Sequence, residues 1–184
     1  MAYEQRLTEM WRALPILEGE QLPRRSKVKT AFISSMLPYC WQLDWQEGDK
    51  LIIEYEGNEI DAMWGNAPLG EDYLANYAPE RIALLLAFYE SLFSARCGAT
   101  IVRSITKEGG DTYELVTHFV PMISKSGKRR VIFGNSEMQG NFKEDGGRLG
   151  FDGATLLSAE YIDLGYGVPD TAPFDSSPED RQNP

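Results

Sequence analysis

The stretch from Met36 to Gly65 constrains the fold most, because two alternating strand patterns are followed at once by a short helical pattern. The first strand places its apolar side chains on one face, namely Tyr39, Trp41, Leu43 and Trp45. After the turn Gln46-Glu47-Gly48-Asp49 comes a second strand, in which Leu51, Ile53 and Tyr55 alternate with Glu54 and Glu56. Residues 59–64 then predict a short helix that ends at Gly65. A hairpin leading directly into small helices is therefore the predicted opening unit.

Residues 2–14 predict an amphipathic helix whose apolar stripe is formed by Leu7, Met10, Trp11 and Leu14. Such a stripe has to be buried, either on the helix's own domain or on a second subunit. A second helix is predicted from Ser26 to Met36, where Ser26 has a side chain suited to an N-cap. The sequence leaves both fates of the first helix open.

The longest predicted helix begins at Pro79 and ends near Gly98, with an apolar stripe that indicates packing on a sheet. Three strands are predicted after it, at residues 99–107, 112–124 and 129–138, and they are joined by short turns that contain glycine. Residues 154–164 fit either a strand or a short helix. Strands on both sides of a helical middle predict an α+β domain with one antiparallel sheet.

The charge balance argues against nucleic-acid binding. The chain of 184 residues has a net charge of −10, and phosphate contacts require clustered cations. Two cysteines, Cys40 and Cys97, are too few for a disulfide framework and form no CxxC metal motif. The sequence has neither the apolar core of a signal peptide nor a membrane-spanning apolar run. We therefore expect a cytoplasmic protein that does not bind nucleic acid or membranes.

Several short motifs resemble those of PAS domains, and in particular those of the single-domain PAS proteins of alphaproteobacteria. The similarity covers about residues 20–140. The matching segments are Leu22-Pro23-Arg24-Arg25 before a helix, Met36-Leu37-Pro38 before a strand that ends at Asp44, Gly57-Asn58 before a helix that ends at Trp64-Gly65, Leu69-Gly70-Glu71-Asp72-Tyr73 before the long helix, and Phe119-Val120-Pro121-Met122 in a late strand.

The resemblance implies a PAS-like five-stranded antiparallel sheet of order 2-1-5-4-3, with helices on one face and the N-terminal amphipathic helix added to it. It divides the chain into a helical extension at 1–19, the PAS-like domain at 20–140, a C-terminal extension at 141–166 that packs on the domain, and an acidic tail at 167–184. That tail is rich in proline and acidic residues, a composition that predicts disorder.

The resemblance also allows the usual PAS cofactors to be tested against this sequence. Haem sensors of the family carry an axial histidine on the long helix, but residues 79–97 contain none. Flavin photosensors of the LOV type use a cysteine in the helix that corresponds to residues 57–65, which lacks one. Haem and LOV-type flavin are therefore disfavoured, no cofactor is predicted, and a small ligand of unknown identity is left as the occupant of a pocket.

No catalytic or metal site is predicted. The only histidine, His118, lies within a strand without ligand partners at a suitable spacing, so a hydrogen-bonded, partly buried side chain is the simpler interpretation. A pocket between sheet and helices is expected to be lined by Trp41, Leu43, Ile53, Tyr55, Trp64, Phe88, Phe119 and Phe133. Polar candidates for the same pocket are Asn58, Ser104, Thr117, His118 and Asn135. The alternative interpretation is that the aromatic residues only fill the core.

The sequence thus favours a sensory or regulatory module that acts by protein–protein interaction, possesses a ligand pocket, and forms a homodimer through its N-terminal helix. A signalling protein is the expected partner. The alternative is a small α+β enzyme or carrier acting on an apolar small molecule. An inward-facing Asp, Glu or His beside the pocket entrance would favour that alternative.

Overall fold

An antiparallel sheet of six strands forms the centre of the computed structural model, which describes residues 3–64, 69–106, 112–139, 154–171 and 174. The strands are β1 (Cys40–Gln46), β2 (Lys50–Glu56), β3 (Gly98–Thr106), β4 (Thr112–Ile123), β5 (Arg130–Gln139) and β6 (Thr155–Ile162). The helices are α1 (Tyr3–Ala13), α2 (Thr30–Ile33), α3 (Asn58–Trp64) and α4 (Pro79–Ala95). Short 3-10 turns lie at Arg25–Lys27, Leu37–Tyr39 and Tyr73–Asn76.

The strand order is β2-β1-β5-β4-β3-β6. Its first five members have the order 2-1-5-4-3, and the α+β class is as predicted. The predicted count of five strands is wrong, because β6 pairs antiparallel with β3, from Gly98 opposite Ile162 to Ser104 opposite Thr155. Without β6, the backbone N–H and C=O groups of β3 would form an open sheet edge. Of the two structures predicted for residues 154–164, the strand is therefore the one that forms.

Strand β4 is buried on both faces, since all eight residues from Leu115 to Met122 are buried. Phe119 contacts the rings of Phe88 and Tyr89 on α4, so the odd-numbered residues of β4 face α4. We call this side of the sheet the inner face. The even-numbered residues, which include His118, lie on the opposite side, the outer face.

Helix α1 covers the outer face within its own chain. Its side chains Leu7, Met10 and Trp11 are at most 2% exposed. The Trp11 indole N–H donates a hydrogen bond of 2.6 Å to the carbonyl oxygen of Pro121 on β4. The apolar stripe thus has an intramolecular partner, which removes the reason for predicting a homodimer through this helix. Dimerisation itself stays a prediction.

The helix predicted from Ser26 to Met36 is instead a 3-10 turn and the four-residue helix α2. Val28 and Lys29 between them have extended backbone angles, with ψ near 116° and 125°, and so interrupt the helix. After this break Ile33 and Met36 are buried in the core, whereas Phe32 is 61% exposed.

The C-terminal segment contacts the body of the domain. Tyr166 packs edge-on against Trp11, and the Phe174 ring stacks on Phe88 with centroids 4.8 Å apart. Residues 172–173 and 175–184 of the predicted disordered tail, and residues 141–153 of the predicted extension, lie outside the described residues. Within the described residues, no helix combines the length and the apolar character needed to cross a bilayer.

Replacing Leu7 by alanine tests whether α1 belongs to the core. We expect Leu7→Ala to lower the free energy of unfolding by about 2–5 kcal/mol, because it leaves a cavity between α1 and the sheet. Leu84→Ala is the matched control, since Leu84 also lies on a helix but is 41% exposed. Urea unfolding of both variants measures the difference. Equal costs for the two variants would contradict the packing described for α1.

Candidate functional site

A small cavity opens between the inner face of the sheet and the segment that contains α3 and the Tyr73–Asn76 turn. Its volume is about 80 Å³. We call it the inner cavity, and its lining residues are Trp41, Leu43, Ile53, Glu56, Ile60, Tyr73, Arg103, Leu115, Thr117, Phe119 and Ser136. The walls are mainly apolar, with a few polar groups among them, which is the usual composition of a ligand pocket.

Trp41 forms one wall because β5 carries a glycine opposite it. Trp41 pairs with Gly134, and a Cβ at position 134 would lie 2.4 Å from the Trp41 ring. The indole therefore lies flat over the β5 backbone, where any larger residue would exclude it. Its N–H donates a 3.0 Å hydrogen bond to Ser136, whose hydroxyl is also 3.0 Å from that of Thr117. The ring packs edge-on against Phe119 at 5.3 Å.

A β-bulge decides which residues of β2 face the cavity. Leu43 pairs with Ile53, but the preceding residue of β1, Gln42, pairs with Tyr55, so Glu54 has no partner in the ladder. One extra residue reverses the side on which all following side chains lie. Tyr55 is consequently on the outer face, and Glu56 is on the inner face. Uninterrupted alternation predicts the opposite placement of both.

Glu56 is a half-buried carboxyl group in this cavity. Burial, and then the negative charge of Asp61 on α3, raise the pKa of Glu56 to about 7. The carboxyl group is therefore close to half-protonated at neutral pH, whereas an exposed glutamate would be ionised.

Arg103 brings a cation to the same cavity. On β3 it lies on the same face as Ile101 and Ile105, which are fully buried on the inner face. The hydroxyls of Tyr73 and Tyr77 lie 2.8 Å apart nearby. Burial raises the pKa of Tyr77 and Tyr89 well above the usual value, and the positive charge of Arg103 acts on both in the opposite direction.

The predicted pocket residues are divided between the two faces. The structure brings together Trp41, Leu43, Ile53, Phe119 and Thr117 at the inner cavity. Phe88 packs against Phe119 without lining the cavity. Asn58 is exposed at the first position of α3, and the side chain of Trp64 lies outside the described part of the structure.

The remaining candidates are on the outer face, which corrects their expected placement. Pairing puts Phe133 opposite Val120 and Asn135 opposite His118, and Ser104 shares the parity of Thr100. The tertiary pairing decides this, because alternation assigns residues to two faces without saying which face meets which helix. Tyr55 joins this set through the bulge, and its hydroxyl donates to the Leu37 carbonyl at 3.0 Å.

His118 is a buried neutral side chain under α1. Its Nδ1 lies 2.8 Å from the Thr100 hydroxyl, and burial lowers the pKa of His118 to about 4. Asn135 beside it is fully buried, and neither of its amide atoms has a hydrogen-bond partner within the described residues. Among these residues, no group of three His, Cys, Asp or Glu side chains is arranged to hold a metal ion.

Sequence reasoning missed Glu56, Arg103, Tyr73 and Ser136. For Arg103 a signal existed, because it shares the parity of Ala99, Ile101 and Ile105 in a strand pattern that is otherwise apolar. For Glu56 no signal existed, since the bulge arises from the pairing of β1 with β2 and has no mark in either strand alone.

Glu56→Gln tests the inward placement of this carboxyl group. The folded state of the wild type binds the Glu56 proton up to about pH 7, whereas the unfolded chain releases it near 4.5. Stability therefore falls as pH rises from 4.5 to 7, and we expect Glu56→Gln to lose this part of the pH dependence. Thermal melts between pH 4.5 and 8 measure it. The control is Glu54→Gln, next to the same bulge but exposed; a similar change in that variant would contradict the assignment.

The buried histidine has a pH dependence of opposite sign. The unfolded chain takes up the His118 proton near pH 6.5, and the folded state does so only near pH 4. Stability is therefore lost as pH falls from 6.5 to 4, by on the order of 3 kcal/mol. We expect His118→Asn to flatten this part of the profile in urea unfolding at several pH values. An unchanged slope between pH 6.5 and 4 would show that His118 is accessible to protons in the folded state.

Comparison with known proteins finds matches among solved structures. No family model matches the chain, and no curated protein matches it. A solved structure described as "Structure of an RNA-binding Light-Oxygen-Voltage Receptor" matches with 13% sequence identity and a TM-score of 0.38. The match covers 67% of this chain and 37% of the receptor chain. At this degree of similarity it carries no argument about function.

Proposed function

We propose that the chain is a PAS-like sensory and regulatory module, which binds a small ligand in the inner cavity and acts through protein–protein interaction. The observation that carries the proposal is the cavity itself, which lies between the inner face of the sheet and the helical segment after β2. This is the position that the PAS resemblance implies for a ligand. The strand order 2-1-5-4-3 within the sheet supports the same interpretation.

The position of the cavity suggests how a ligand would influence the surface. One wall belongs to the rigid sheet, through Leu115, Thr117 and Phe119 of the doubly covered strand β4. The other wall includes Ile60 of α3 and Tyr73 of the 3-10 turn. A ligand that contacts both walls favours one position of these short elements over others. A signalling partner that contacts α3 or the turn would then respond to occupancy.

Glu56 supports a second candidate function, a small enzyme or carrier acting on a small molecule in the same cavity. A carboxyl group whose pKa is about 7 accepts and donates protons efficiently at neutral pH. Incubating candidate ligands with the protein and with Glu56→Gln, followed by mass analysis of the small molecule, separates the two functions. Conversion that depends on Glu56 supports the enzyme, whereas unchanged ligand supports the sensor.

Filling the inner cavity tests the ligand-binding proposal. We expect Leu115→Phe to abolish retention of a small molecule, because the larger ring occupies the cavity. The matched control is Leu157→Phe, the same substitution on β6 at a side chain that is 51% exposed. Native mass spectrometry and a thermal-shift screen against small metabolites measure binding in all three proteins.

Circular dichroism of Leu115→Phe is the control for folding. Ligand binding by the wild type and Leu157→Phe but not by folded Leu115→Phe supports the proposal. Equal binding by both variants, or no bound molecule and no hit with the wild type, contradicts it.

A further inference from the structure

The side chain of Arg103 lines the inner cavity and is partly buried. Ion pairs within the described part of the chain involve Arg24, Arg129 and Arg130, and none includes Arg103. An arginine remains charged at every physiological pH. A cation in a largely apolar cavity is costly unless an anion or strong acceptors compensate it. A negatively charged group bound in the cavity would compensate the charge of Arg103.

Hydroxyl donors accompany Arg103. Tyr73 lines the cavity and lies within hydrogen-bond distance of Tyr77. Because burial raises the pKa of Tyr77 and Tyr89, both phenols stay protonated near neutral pH. A planar guanidinium and a phenol hydroxyl in the lining of one cavity are both donors, and the two oxygens of a carboxylate accept hydrogen bonds from such groups.

The rest of the cavity fits a short hydrocarbon chain. Leu43, Ile53, Ile60, Leu115 and Phe119 supply its apolar surface. The volume of about 80 Å³ holds roughly six water-sized atoms, at ~10–15 Å³ for each. A carboxylate of this size has about four carbon atoms, including the carboxylate carbon, and two oxygens, and it is much smaller than haem or flavin.

We propose that the inner cavity binds a short-chain aliphatic carboxylate, whose carboxylate contacts the Arg103 guanidinium and the Tyr73 hydroxyl while its alkyl chain lies against Leu43 and Leu115. The inference rests on the proposed ligand-binding function of this cavity and specifies the chemical class of the ligand.

Glu56 makes the binding of such an anion depend on pH. The charge that acts on Glu56 is that of Asp61 on α3, and the other ionisable side chains that line the cavity are Tyr73 from the 3-10 turn and Arg103 from β3. When Glu56 is ionised, the cavity holds a second negative charge that repels a carboxylate. Affinity for the carboxylate therefore decreases as pH rises through about 7.

Titration calorimetry with sodium butyrate tests the proposal, using the full chain at pH 6.0 and 8.0. Three other compounds separate charge from size: 1-butanol lacks the charge, butylamine reverses it, and octanoate is too long for the cavity. We expect butyrate alone to bind, and to bind more weakly at pH 8.0 than at pH 6.0. In Glu56→Gln the affinity for butyrate should be the same at both pH values.

Substitution of the arginine locates the contact. Arg103→Gln should weaken butyrate binding at least tenfold, Arg103→Lys should retain part of it, and Tyr73→Phe should weaken it without removing a charge. Arg130→Gln is the matched control, because Arg130 is a half-exposed arginine paired with Glu90 at the surface. Circular dichroism identifies any variant that does not fold. If Arg103→Gln does not fold, the butyrate affinities of Tyr73→Phe and Arg103→Lys are compared with that of the wild type instead.

The outcomes separate this inference from the function on which it rests. Equal binding of butyrate and butanol, or undiminished butyrate binding by Arg103→Gln, overturns the carboxylate assignment. Absence of butyrate binding overturns it too, and if another small molecule is still lost in Leu115→Phe, the ligand-binding function stands without it. When neither butyrate nor any other small molecule binds the wild type, both proposals fall.

Discussion

The double burial of β4 is the constraint on which the rest of the structure depends. Eight consecutive buried residues leave no face of this strand for water, so the sheet needs a covering layer on each side. Helix α4 supplies one layer through Phe88 and Tyr89, and α1 supplies the other through Leu7, Met10 and Trp11. An N-terminal helix that resembles a detachable extension is therefore part of the core. The Trp11 hydrogen bond to the Pro121 carbonyl joins it directly to the central strand.

The β-bulge between β1 and the edge strand β2 places an acidic side chain in the cavity. The extra residue Glu54 lets Ile53 and Glu56 face inward together, although they are three positions apart. Tyr55 is rotated to the outer face by the same bulge. A regular strand would place Tyr55 inside and Glu56 in water, which gives a cavity without an ionisable acid. The bulge therefore brings a proton-exchanging group to the cavity that Arg103 also lines.

The two faces of the sheet hold groups with opposite responses to acid. Inside the cavity, Glu56 favours the folded state when protonated, and its pKa is raised to about 7. On the outer face, burial lowers the pKa of His118 to about 4, so acidification favours the unfolded chain. Between pH 4.5 and 6.5 the two contributions oppose each other. Only Glu56 lies where its charge can act on a ligand, whereas His118 is enclosed beneath α1 beside Thr100.

The sequence by itself determined the α+β class, helices α1 and α4, the first five strands and four members of the cavity wall, because each follows from periodicity within one segment. These four are Trp41, Leu43, Ile53 and Phe119. Tertiary structure alone decided the sixth strand, the faces of Phe133, His118 and Asn135, and the inward turn of Glu56. These depend on which strand pairs with which and in what register, since a shift of one residue exchanges the two faces of a sheet. Trp41 depends on both the sequence and the tertiary structure. Its side-chain direction follows from the alternating pattern of β1, but its position over Gly134 requires the pairing of β1 with β5.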